Sequence, residues 1–112
     1  MTPLEELARL LRKHGHGAQA VAMASLAARE EARVEGEAFW ADLARDLFEG
    51  NESLAAVSLG GANAKLTPDL ELDRAAYRRG LFLVAQELRL RELDSPDSER
   101  WRLALKTAAS SR

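Results

Sequence analysis

The apolar residues of this chain recur at helical spacing from its first turn to its last, and no stretch carries the sustained apolar–polar alternation of a half-buried strand. That property excludes sheet architectures and predicts an all-α fold. The first segment, TPLEELARLLRKHG, is a helix with both its ends marked. Thr2 and Glu5 form a capping-box pair around Pro3, which sits where a missing N–H is harmless. Leu4, Leu7, Ala8 and Leu11 follow the i, i+3, i+4, i+7 pattern of one buried stripe, and Lys13 and His14 lie at the negative end of the helix dipole, before Gly15.

The same reading continues along the chain. Residues 18 to about 34 hold seven alanines, so helix propensity is high and side-chain volume small, which lets a neighbour approach closely; Gly36 is expected to end this helix. A third helix over about 37–49 places Trp40, Leu43, Ala44 and Leu47 on one face, widened by Phe39 and Phe48. Asn51 reads as the cap of a short fourth helix over 52–59, stopped by Gly60. Residues 66–72, LTPDLEL, combine a Thr-Pro helix start with acid–leucine alternation and are treated as irregular, so that Asp73 caps the longest helix, near 74–93. Its inward stripe is Tyr77, Leu81, Val84, Ala85 and Leu88, with Phe82, Leu83 and Leu90 around it. Ser95 and Pro96 open a last helix with Trp101, Ala104, Leu105 and Ala108 inward. The expectation is one compact bundle of about six helices spanning residues 1–112, with a long central helix.

Composition limits what such a bundle does. The 112 residues suffice for one hydrophobic core, with 46% apolar and 30% charged residues. No cysteine is present to form a disulfide framework or a thiolate nucleophile. Glu5 and Glu6 stand where a secretory signal has lysines, and no apolar region follows, which predicts an unprocessed cytoplasmic chain. The longest uncharged run, His14 to Ala28, is 15 residues and too polar for a membrane span.

The stretch SLGGANAKLT, residues 58–67, is the nearest approach to an active-site loop. A phosphate-binding loop needs glycine directly before the lysine and a hydroxyl residue directly after it, but Ala64 and Leu66 occupy those places around Lys65. The stretch reads as a joint, with Gly60 or Gly61 in the left-handed conformation. His14 and His16 form a His-x-His pair without further ligands at metal-site spacing, and no cysteine completes a zinc set. No cofactor, metal site or catalytic constellation is expected, and the chain does not read as an enzyme.

Charge is unevenly distributed. Residues 29–73 hold 11 acidic and 4 basic residues, a balance of −7, whereas residues 74–112 hold 5 acidic and 9 basic, a balance of +4. The acidic segment is laced with pairs such as Glu30 with Arg33 and Asp42 with Arg45, the pattern of a solvated helix face. The candidate partner-binding residues within it are Glu30, Glu31, Asp42, Asp46 and Glu49, which would steer a basic partner or the basic half of a second copy. The alternative is a nucleic-acid or small-ligand face at Arg74, Arg78 and Arg79. Ala76 and Gly80 there have helix-turn-helix spacing, but the helical periodicity runs on through LFLVAQEL, and a net charge of −2 lacks the usual electrostatic footprint.

At Trp40, then Gly60 and Gly61, then Asp69 and Leu70, the chain resembles an uncharacterised family of small bacterial helical proteins with a tryptophan helix, a Gly-Gly turn and an Asp-Leu step before a long final helix. The resemblance covers roughly residues 37–93; ANAKLTP lies before Asp69 where that family has a shorter, glycine-containing link. It implies a helical fold and no mechanism. Together these readings predict a small cytoplasmic bacterial interaction module, in the manner of an immunity protein or a defence-system accessory, that binds a basic protein partner through an acidic helical face.

Overall fold

The computed structural model describes residues 2–32, 36–49, 53–61 and 65–110. Among them are five α-helices: α1 (Pro3–Lys13), α2 (Gly17–Glu31), α3 (Glu37–Phe48), α4 (Pro68–Leu90) and α5 (Pro96–Ser110). One 3-10 turn spans Leu54–Ala56, and no described residue is in a strand. Among the described residues the fold is all-helical, with five α-helices where the spacing suggested about six.

The missing helix is the short one expected over 52–59. Its backbone is extended again by Val57 (φ −68°, ψ 128°), whose N–H closes the turn on the Leu54 carbonyl, and the Leu54 and Leu59 carbonyls also accept from outside the segment. The Tyr77 hydroxyl donates to the Leu54 oxygen at 2.7 Å, and the Arg74 guanidinium donates to the Leu59 oxygen at 2.9 and 3.1 Å. Side chains of α4 thus supply what a continuing helix would have supplied. Asn51, the expected cap, lies outside the described residues.

Three helix boundaries also differ from expectation. The longest helix starts at Pro68, capped by Thr67, whose Oγ1 accepts the Leu70 N–H at 3.2 Å; the Thr-Pro signal therefore prevails over the leucine–acid alternation. Asp73 lies inside α4 and caps nothing. The helix ends at Leu90 rather than near 93, because the Glu92 and Leu93 N–H groups turn back to the Arg89 and Leu88 carbonyls, with Glu92 left-handed at φ 58°. Gly36 does not end α2, which stops at Glu31; it is the N-cap of α3.

α1 keeps its predicted ends. Thr2 and Glu5 form the reciprocal capping box, and at the other end Gly15, at φ 83°, lets the His16 N–H reach the Leu11 carbonyl at 2.9 Å. α2 packs against α1, α5 against α4, and α1 also meets α4. At that contact a Cβ on Gly80 would lie 2.9 Å from the Leu7 Cδ2, so Gly80 serves close approach within an unbroken helix rather than a turn.

The core joins the buried stripes Leu4, Leu7, Leu10 and Leu11 of α1, Met23 and Leu26 of α2, and Phe39, Leu43, Leu47 and Phe48 of α3 to Tyr77, Leu81, Val84, Ala85 and Leu88 of α4. α5 is rotated from its expected setting. Ser98, Arg102 and Leu105 form its buried stripe, Trp101 is half-buried, and Ala104 is exposed. The Ala108 side chain lies outside the described residues. An arginine stripe is tolerated because Arg102 donates to both Glu99 oxygens, at 2.6 and 2.9 Å, and reaches Gln86 of α4, so its charge is paired where it is buried.

Candidate functional site

The stretch 58–67 is the first to test, and its described residues are occupied structurally. Both Gly60 (φ 82°) and Gly61 (φ 89°) adopt the left-handed conformation. Arg74 donates to the Leu59 carbonyl and, at 3.1 Å, to that of Gly61, while the Gly60 N–H donates to the His16 Nε2 at 3.2 Å. Arg74 and His16 thereby tie the turn to α4 and to the start of α2. Lys65 is exposed beside it.

The two histidines go to separate tasks. His14 Nε2 lies 2.8 Å from Asp73 Oδ2, and Lys13 Nζ contacts the same oxygen at 2.8 Å. The Lys13 ammonium first, and His14 with it, hold the Asp73 carboxyl below its ordinary pKa. This cluster pins the end of α1 to α4. Among the described residues no group of three His, Asp or Glu side chains is placed to hold a metal ion.

The basic trio does not form one face. Arg74 is spent on the Gly-Gly turn. Arg78 and Arg79 are exposed and sit about 100° apart around the helix. Arg74 and Arg78 border one hollow of about 210 Å³ with Tyr77 and Trp101, whereas Arg79 borders a different one with Pro3 and Gly80.

The acidic residues are placed as follows. Asp42 is bridged by Arg29 at 3.0 Å and Arg45 at 3.2 Å, and Arg45 also reaches Asp46 at 3.3 Å. Arg29 in turn lies over the Phe39 ring, 5.3 Å from its centroid. Glu49 is exposed at the end of α3. Glu30 is half-buried on α2, and the Glu31 side chain lies outside the described residues.

Glu30 opens the feature that sequence spacing did not single out. It lines a groove of about 310 Å³ between α1, α3 and α4, together with Pro3, Leu4, Trp40, Leu43, Leu83, Val84, Glu87 and Arg91. The floor is apolar and buried: Leu4, Leu43, Val84 and Trp40, the last meeting Phe39 edge-to-face at 5.0 Å. Arg91 lies across the indole, its guanidinium carbon 4.3 Å from the ring centroid, and donates to Glu87 Oε1 at 2.7 Å. On the open side the groove is bordered by Leu83, 49% exposed, which belongs to a line on α4 with Leu72 (65%) and Leu90 (70%). These three share one face, because 11 and 7 residues bring a helix back to nearly the same angle, and the line is about 27 Å long. Pro3 and Leu83 also border the neighbouring hollow, so the two concavities adjoin at these residues. The 72, 83, 90 spacing lies on the side of α4 away from the core stripe; from the sequence Leu83 and Leu90 read as surrounding that stripe, and Leu72 falls in the segment treated as irregular.

No protein-family model matches the chain, and no curated protein or solved structure matches it.

Proposed function

We propose that the protein is a protein-interaction module whose contact surface is the groove between α1, α3 and α4, and that its partner is basic and carries an apolar anchor. The observation that supports this reading is the exposure of Leu83 and Leu90 beside an apolar, tryptophan-floored groove edged by Glu30 and Glu87. Apolar surface gathered next to a concavity, with charge at its rim, is how protein contacts are commonly built. Asp46 and Glu49 lie on the side of α3 away from the groove-lining Trp40 and Leu43 and contribute steering at a distance, more than Asp42 does, whose carboxylate is already bridged by two arginines. The nucleic-acid alternative has less support, since Arg74 is engaged with backbone carbonyls and Arg78 and Arg79 diverge.

The test is capture from the native lysate, identification of the partner, and titration of the purified pair. Leu83→Asp should weaken binding at least about tenfold while the helical signal stays intact, as for an exposed contact residue. Asp46→Lys with Glu49→Lys should slow association mainly at low salt, where surface charges are least screened. A partner bound equally well by Leu83→Asp would place the contact elsewhere and reject the groove.

A further inference from the structure

The groove already holds a cation, and that cation belongs to the chain itself. Arg91 is the C-cap residue of α4, with its side chain 43% exposed, yet its guanidinium carbon sits 4.3 Å from the Trp40 ring centroid and the group hydrogen-bonds Glu87. The indole offers a negative ring face and Glu87 a carboxylate. These groups come from α3 and α4, and together they suit a planar or compact cation on an aliphatic stem. Leu4, Leu43 and Val84 supply the apolar lining that such a stem needs.

We infer that this groove is a recognition site for a guanidinium or ammonium side chain presented by a partner, and that Arg91 occupies it as a tethered stand-in. The inference rests on reading the groove as the contact surface and names the chemistry recognised there. Arg91 leaves by rotating its own side-chain bonds, without movement of α4, because it stands at the helix end where the backbone turns away at Glu92. The groove's volume of about 310 Å³, at the lower end of ligand-site sizes, is space beside the resident guanidinium. An incoming arginine or lysine takes the place over the indole, and Arg91 moves to the rim. The resident arginine therefore sets a threshold: a lone cation competes poorly with a tethered one, whereas a partner that also contacts Leu83 and Leu90 overcomes it.

The experiment uses Trp101→Phe protein, so that Trp40 is the only indole, with Arg91 present or replaced by alanine. N-acetyl-L-arginine methylamide is titrated against Trp40 fluorescence, with N-acetyl-L-citrulline methylamide as the uncharged control. The Arg91→Ala protein should show a saturable change with the arginine probe, at an affinity at least about tenfold above that of the protein retaining Arg91. The citrulline probe should not saturate, and adding Glu87→Gln should abolish the response. Arg91→Ser is the second variant should the alanine form lose its helical signal. Absence of a saturable response in a folded Arg91 variant, an equal response to citrulline, or indifference to Glu87→Gln would each overturn the inference. Because the probe is a small molecule, cation binding without Leu83-dependent partner capture would sink the partner reading alone, and the converse result would sink this inference alone.

Discussion

Gly80→Ala sets two calculable effects against each other. Gly80 lies in the interior of α4, where alanine is favoured over glycine by about 1 kcal/mol. The added methyl, however, would stand 2.9 Å from Leu7 Cδ2 and 3.2 Å from Leu7 Cγ. Leu7 is fully buried, so it has no solvent side to swing toward, and overpacking of this kind costs about 1–3 kcal/mol. The packing term should win, leaving the variant less stable by up to about 2 kcal/mol. With a urea m-value of about 1.5 kcal/mol/M, each kcal/mol lowers the midpoint by about 0.7 M. Equilibrium urea unfolding followed by circular dichroism reads this directly. A double-mutant cycle isolates the cause: Leu7→Ala alone should cost about 2–5 kcal/mol, and clearly less in the Gly80→Ala background, where the new methyl fills part of the vacated space. A raised midpoint for Gly80→Ala, or strict additivity in the cycle, would show that Leu7 yields and that close approach at Gly80 does not hold α1 on α4.

Three further outcomes are expected. Tyr77→Phe should destabilise by about 1–2 kcal/mol in urea unfolding, because burial raises the hydroxyl's pKa and keeps it a donor, and its loss removes a 2.7 Å bond to the Leu54 carbonyl. Glu92→Gly should stabilise by about 0.5–1 kcal/mol in the same assay, since position 92 is left-handed in the turn that ends α4 and glycine meets no Cβ penalty there. Asp73→Asn should be less stable than wild type above about pH 4, because the folded-state pKa of Asp73 is depressed by Lys13 and His14 and its contribution is fully present above the unfolded value. That difference should close as the pH falls through the lowered folded-state value; a gap that instead widened in acid would contradict the depressed pKa.

The sequence by itself determined what acts over a few residues. Helical periodicity set the class and the inward stripes of α1, α3 and most of α4, since i, i+3 and i+4 neighbours share a helix face wherever the helix is placed. The Thr2–Glu5 box and the Gly15 turn were equally legible, because each is closed by hydrogen bonds between residues three to five apart. The tertiary structure decided whatever depends on which helices meet. It gave Arg74 to the carbonyls of the Gly-Gly turn, Asp73 to Lys13 and His14, and the buried side of α5 to Arg102, whose partners include Gln86 on another helix. It also decided that the line of Leu72, Leu83 and Leu90 faces outward and that Arg91 comes to rest on Trp40. A wide apolar arc on one helix does not say which of its sides will be covered. That choice belongs to the packing of α1, α3 and α5 around α4, where burying the larger stripe left the smaller one exposed beside the groove.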